Sequence, residues 1–524
     1  MANGSKQEYQ PSGLDISMAS STVAKPVGHR YTADSLGASV LFLLALTGVQ
    51  RGIGLVRKFL FCDWLAPEEL GQWDLVFGFL TLAAPLAVIG MPGALLRYVE
   101  YYRQRGQLRA YLARTALITL VLAIAVTAIL VPFRTIWADI FFGGKQFQIL
   151  VLPVAVALLL TILFNAIATY FTAMRLQRFR SLLTAAYAVL FTIGGSCLLL
   201  FWRASAVGVI MAHAASLFLC CCVGGYWIWN SWHFLPAQAT DSRLDGFISQ
   251  VLPFAAAVWV TNVVANLFPF VDRYIIVASS GQESGEAFQL LGQYHVARLM
   301  PVFMLSLAQV LQATLLPYLS KDWETGDRER VRARLNSFVR LFGLSFFATA
   351  TVFLLVGPAL FTSLLGDKYQ TGLSVLNVTL THGVVASLFV VASSYIWCDS
   401  KGWLVNVGLL IALVATAGLN LMLLPRFGLL GAATASCIAV VILLVYSVVC
   451  CWLLGMRFSV PTTVVMCLPL ALLAGPLISL LTLAGVAMLV SCTDILLTTQ
   501  DKERAGEFMS RLGDRLARKQ DVVS

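Results

Sequence analysis

Leu70-Gly71-Gln72-Trp73 returns at an offset of roughly 220 residues as Leu291-Gly292-Gln293-Tyr294. Outward from that stretch the correspondence continues. Gly93-Ala94-Leu95-Leu96-Arg97-Tyr98 returns as Ala313-Thr314-Leu315-Leu316-Pro317-Tyr318, and Phe142-Gly143 returns as Leu365-Gly366. Arg203 followed by Gly208 returns as Arg426 followed by Gly431. Landmarks kept in order over four stretches mark an internal duplication, so the chain reads as two similar halves.

The 524 residues are 59% hydrophobic and only 12% charged, with mean hydropathy +0.82, which excludes a soluble globular protein. Crossing the hydrocarbon takes about 20 mainly apolar residues per helix. Runs of that kind fill the chain from Leu36 to Leu497. Lipid offers unpaired backbone groups no partner, so the spans are helical, and the short alternating strands of a β-barrel are not seen. The reading is therefore an all-α polytopic membrane protein of about 14 helices. Six spans in each half read as two pseudo-symmetric six-helix lobes, and a C-terminal helix pair follows. Two such lobes side by side imply a transporter with its path at their interface.

The expected organisation is a disordered tail over 1–35, a first lobe over 36–229, a linker over 230–247 and a second lobe over 248–454. An extra helix pair or hairpin over 455–498 and an amphipathic tail over 499–524 complete it. Residues 461–497 are just long enough for two short helices; a re-entrant hairpin after twelve spans is the alternative. The formal charge of +10 lies in alternate loops, such as Arg103, Arg105 and Arg109, then Arg175, Arg178 and Arg180. That alternation places these loops and both termini in the cytoplasm, and the expected location is the inner (plasma) membrane. The excess thus reads as topology and attraction to membrane lipid, with no nucleic-acid partner. Eleven cysteines without a CxxC pair read as small apolar fillers, so no metal and no cofactor is expected.

"LAPEELGQWDL" at 65–75, "IGMPGALLRYV" at 89–99 and "VDRYIIV" at 271–277 resemble the polysaccharide-flippase branch of the multidrug/oligosaccharidyl-lipid/polysaccharide exporter superfamily. So do "LGQYHVARLM" at 291–300, "LLGDKY" at 364–369 and "LNLMLLPRFGLLGAATAS" at 419–436. The resemblance covers about residues 36–455 and includes the O-antigen and exopolysaccharide flippases. It implies two lobes around a central cavity, alternating access and export of a polyprenyl-diphosphate-linked oligosaccharide. A polysaccharide polymerase and glycosyltransferases are then candidate partners. The short 461–497 segment departs from the family's usual last helix pair.

A flippase must pass a polar, anionic head group through hydrocarbon, which calls for a wet cationic cavity. A cation near a span's centre costs ~2.5–3.5 kcal/mol on insertion scales, so each one needs a reason. Arg51, well inside the first span, is the leading candidate, with Lys58 seven residues on along the same face. Arg57 and Lys58 also lie near the span's outer end, where snorkelling to the interface explains them. Asn262, Asn266, Pro269 and Arg273 form one stripe in the second lobe, and the asparagines are candidate sugar contacts. Arg298 is a candidate for the substrate, and Asp272 with His295 for ion coupling, since histidine is the side chain that ordinarily titrates near neutrality. The plain alternative is that Asp272 pairs with Arg273 at the membrane edge. Arg97 is a candidate entry contact or a positive-inside anchor. Asn165, Asn377, His382, Asn420 and Gln309 read first as interhelical hydrogen bonds.

A multidrug exporter of the same superfamily is the alternative function; its cationic cargo favours an acidic cavity, whereas cations outnumber carboxylates here. A membrane polymerase or ligase would need a sizeable outer loop, and the outer loops are short. No catalytic residues are expected, and the chain does not read as an enzyme.

Overall fold

The computed structural model describes residues 36–142, 144–235, 247–279, 284–493 and 496–497. The expected tail over 1–35, linker residues 236–246 and the tail over 499–524 lie outside them. Among the described residues all regular structure is helical. The first lobe holds α1 (Leu36–Trp64), α2 (Pro67–Ala87), α3 (Met91–Gln104), α4 (Leu108–Leu130), α5 (Arg134–Phe142), α6 (Gln148–Ala173), α7 (Gln177–Phe201) and α8 (Ala206–Ser231). The second holds α9 (Phe247–Ser279), α10 (Ser284–Ala297), α11 (Leu299–Glu324), α12 (Arg328–Leu365), α13 (Gln370–Leu373), α14 (Leu376–Ala392), α15 (Ser394–Cys398) and α16 (Gly402–Leu453). Ten helical segments among the described residues are long and apolar enough to cross a membrane. One of them, α16, makes two passes: Gly428, at φ 55°, breaks its helical course, a backbone region that glycine enters without steric cost. Two short apolar helices, α17 (Val460–Cys467) and α18 (Pro476–Cys492), follow, turning on Gly475 at φ 99°.

The apolar stretches over 71–95 and 287–318, each long enough to read as one span, are both broken, and proline chemistry explains both breaks. Between α2 and α3, Pro92 has no N–H to offer Val88, and the chain turns through Gly90 at φ 70°. Beside that break Trp259 of α9 donates its indole N–H to the Leu86 carbonyl at 2.9 Å. Between α10 and α11, Pro301 leaves the Ala297 carbonyl without its helical donor, and Thr379 Oγ1 of α14 supplies one at 2.9 Å. Both repairs come from neighbouring helices, which is how membrane proteins keep a broken helix inside hydrocarbon.

The duplicated stretch sits where the lobes meet. A Cβ on Gly71 would collide with the Phe288 carbonyl, and a Cβ on Gly292 would collide with the Pro67 carbonyl. The two contacts exchange equivalent residues of α2 and α10, so the crossing obeys the two-fold relation implied by the repeat. Lipid gives apolar side chains no hydrophobic drive to associate, and close backbone approach through glycine takes its place. One apolar core runs through this crossing from both lobes, including Leu70, Trp73, Phe288, Leu291 and Tyr294.

The same end is fastened by the turn after α12. Lys368 Nζ donates to the Asp63 carbonyl at 2.7 Å, and the Tyr369 hydroxyl to the Cys62 carbonyl at 3.0 Å. Gln293 bridges α10 to that turn, donating to the Lys368 carbonyl at 2.6 Å and accepting from the Gly372 N–H at 2.9 Å. The lobes are therefore closed together at the end where α1 turns into α2.

Candidate functional site

Directly below the glycine crossing the lobes enclose a cavity of about 80 Å³. Its wall carries four cations, Arg57 and Lys58 from α1, Arg273 from α9 and Arg298 from the α10–α11 break, with His295 of α10 and one carboxylate, Asp74 of α2. Phe61, Trp73, Phe77 and Phe191 give the first-lobe side an aromatic face. Arg57 lies seven residues from the end of α1, roughly 10 Å along the helix axis.

Asp74 is 3% exposed and joins the lobes. Its Oδ2 accepts from Arg273 Nε at 2.8 Å, and its Oδ1 lies 2.7 Å from His295 Nδ1. Gly78, one turn further along α2, leaves the room that the Arg273 side chain occupies; a Cβ there would stand 2.8 Å from its Nη1. Asp74 and His295 occupy matching positions of the repeat, so this contact lies on the two-fold relation itself. The other cations are held less completely. Arg57 stacks on the Phe191 ring, 4.2 Å to the centroid, and its buried Nη1 has no partner. Arg298 stacks on Tyr294 at 4.9 Å, and its Nη1 is likewise buried and unpartnered.

Behind Arg298, Asp272 is 3% exposed, with Ser436 Oγ donating to Oδ2 at 2.7 Å and Tyr294 Oη at 3.4 Å. Its Oδ1 has no partner. Asp272 and Arg273 therefore do not pair with each other. Neighbours on a helix diverge by about 100°, which sends Asp272 into the second lobe and Arg273 across to the first.

The structure brings Lys58, His295 and Arg298 together at this cavity. Arg51 is exposed on α1 and Arg97 exposed on α3, and neither lines it. Asn262, with Asn165, lines a separate cavity of about 160 Å³ between α2, α6 and α9. Asn266 donates to the Asn262 carbonyl of its own helix at 2.8 Å. Asn420 likewise donates to Thr416 at 2.9 Å. Sequence reasoning passed over Asp74 and gave Arg57 to the interface. The signal was present, because Asp74 stands in the repeated stretch at the position that holds His295 in the second copy. A carboxylate opposite an imidazole in two otherwise matching helices marks a contact across the seam.

Two duplicated helical lobes meeting over a charged cavity define a polytopic membrane transporter. The family described as "Polysaccharide biosynthesis protein" matches residues 36–323, more than half of the chain, and the chain belongs to that family. In fold the chain is similar to a lipid II flippase, MurJ, in an inward closed conformation. The TM-score is 0.63 at 14% identity, over 86% of this chain and 98% of that one. It is also similar to a multidrug resistance MATE family transporter of the MOP superfamily in an inward-facing conformation. There the TM-score is 0.59 at 14% identity, over 78% of this chain and 96% of that one. The outward-facing conformation of a MATE family transporter gives a TM-score of 0.55 at 13% identity, over 79% and 96%. No curated protein matches the chain significantly. The family and these folds point to transport rather than catalysis.

Proposed function

We propose that this protein moves a polyprenyl-diphosphate-linked oligosaccharide from the cytoplasmic to the outer leaflet by alternating access, during synthesis of a cell-surface polysaccharide. One observation carries the reading: the seam cavity gathers Arg57, Lys58, Arg273 and Arg298 around a single carboxylate, Asp74. The diphosphate is the part of such a substrate that hydrocarbon rejects most strongly, and guanidinium groups match phosphate oxygens in paired hydrogen bonds. The unpartnered Nη1 atoms of Arg57 and Arg298 suit an anion that arrives and leaves.

In this reading Arg57, Lys58 and Arg298 hold the diphosphate, and Asn262 contacts sugar. Arg51 and Arg97 serve the flank of the path and the lipid surface. His295 and Asp272 couple transport to an ion: His295 sits on the seam that must open, and Asp272 keeps one carboxylate oxygen free. The basic loops support a plasma-membrane chain with both termini cytoplasmic, so the α1–α2 turn faces outward. Glycosyltransferases that build the substrate and a polymerase that receives it are the partners this role calls for. Likeness to MATE transporters supports multidrug export as a second reading, and the excess of cavity cations speaks against cationic drugs as its cargo.

Reconstituted vesicles separate the two. Arg57→Ala should slow translocation of a lipid-linked oligosaccharide roughly tenfold or more, the worth of one charge-assisted contact, with the protein still inserted. Efflux of an organic cation that Arg57→Ala leaves unchanged, without any oligosaccharide flipping by the native protein, would overturn the proposal. Collapsing the pH gradient tests the coupling role, which an unchanged flipping rate would remove.

A further inference from the structure

A second cavity in the first lobe lies apart from the seam. It measures about 350 Å³ and lies among α3, α4, α6 and α8, walled by residues such as Leu95, Leu112, Leu163, Ile167 and Ile228. Of its three threonines, Thr115, Thr119 and Thr169, two direct their hydroxyl protons to their own helices, Thr115 Oγ1 donating to the Tyr111 carbonyl at 2.8 Å and Thr169 Oγ1 to the Asn165 carbonyl at 2.7 Å. Water needs two to four polar partners to stay in a cavity, and this wall is nearly all hydrocarbon. Leu120, which lines it, is 41% exposed, so the cavity is open beside α4.

One end of the cavity abuts an arginine that lies beside its wall. Trp232, just past α8, closes it there, and Arg109, one turn before Leu112 on α4, donates from Nη2 to the Trp232 carbonyl at 3.0 Å. Arg109 also lies against the Trp232 ring, 5.9 Å to the centroid, while its buried Nε has no partner. A tryptophan and an arginine at the foot of an apolar slot match the head-group level of a membrane. From Arg109 to Leu120 the helix rises about 16 Å, close to one leaflet of a hydrocarbon core ~30 Å thick.

We propose that this cavity is a binding site for an anionic phospholipid, with one acyl chain along α4 and the phosphate on Arg109. The proposal is independent of the flippase reading, because no residue of the seam cavity takes part. Arg109 supplies the charge complementarity that selects a phosphate-bearing lipid with exposed negative charge over a zwitterionic one. The length of the slot selects a single leaflet-deep chain.

The test uses the full-length protein in vesicles containing phosphatidylglycerol with a photoactivatable diazirine in mid-chain, or the matching phosphatidylcholine. Labelled peptides are mapped by mass spectrometry. The expected result is labelling at cavity residues of α4 and α6, roughly tenfold stronger for phosphatidylglycerol, as losing a charge-assisted hydrogen bond implies. Arg109→Gln should remove that preference and Arg109→Lys should keep most of it. Ala116→Trp, which fills the slot from its rim, should suppress labelling by both lipids while the protein elutes as a single peak. Equal labelling by the two lipids would overturn the proposal, as would labels confined to the outer face of α4 at Leu117 and Val121. Full displacement by a polyprenyl phosphate at equal concentration would give the slot to a different lipid and overturn it too.

Discussion

Helices α2 and α10 are copies of one another, and they differ where they border the seam cavity. Gly71 and Gly292 match, each admitting a backbone carbonyl of the other helix, and Gln72 matches Gln293. One turn further the match fails. Asp74 stands opposite His295, and Phe77 corresponds to Arg298. The courses of the helices diverge as well, because the second-lobe copy breaks at Arg298, about three turns closer to the crossing than the first-lobe break near Gly90. Equivalent positions make a self-complementary joint, as a two-fold contact requires. Non-equivalent positions can give the space beside that joint a net charge.

The largest effect should come from breaking the symmetric part. Gly71→Val places a branched side chain against the Phe288 backbone, which cannot yield as a side chain would. Overpacking ordinarily costs ~1–3 kcal/mol, and this collision should exceed it, so little folded protein should survive detergent extraction and size-exclusion chromatography. Next comes the charge that holds the lobes. Asp74→Ala strands the half-buried Arg273 guanidinium, an effect of ~3–5 kcal/mol for a buried pair, and should lower the melting temperature in detergent.

A sharper probe exchanges the asymmetric pair. Asp74→His combined with His295→Asp keeps a carboxylate and an imidazole on the seam but moves the carboxylate away from Arg273. Transport and melting temperature should fall between those of Asp74→Ala and the native protein; values no better than Asp74→Ala would mean that the Asp74–His295 contact contributes nothing. The smallest effect is expected at Arg51→Ala. Its exposed side chain lies outside the cavity, and flipping should stay within roughly twofold of native, since exposed charges contribute little.

Much of the architecture was legible beforehand because its causes are local. Helix length follows from bilayer thickness, and the repeat is written in the order of residues. The crossing itself was legible in the repeated Leu-Gly-Gln, although only geometry shows that the two glycines face each other. The site was harder to read for a stated reason. Depth in the membrane ranked Arg51 first and sent Arg57 to the interface, yet helix rotation decides which side chain meets the other lobe. Arg57 stacks on Phe191 of α7, remote in sequence though within the same lobe, and Arg273 reaches Asp74 across 199 positions of sequence. Such partners leave no trace in a window of neighbouring residues. The breaks at Gly90 and Arg298 were written as prolines, but their positions depended on where neighbouring helices could supply Trp259 and Thr379.

The most direct test makes the two crossing helices alike. Arg298→Phe places at the end of α10 the residue that α2 carries at Phe77, leaving both glycines and the Asp74–His295 contact in place. Translocation of a lipid-linked oligosaccharide by the reconstituted variant is compared with native protein of equal melting temperature. The account predicts a folded, closed protein whose flipping is at least roughly tenfold slower, the effect of one lost charge-assisted contact. Flipping at the native rate by the symmetrised protein would contradict it.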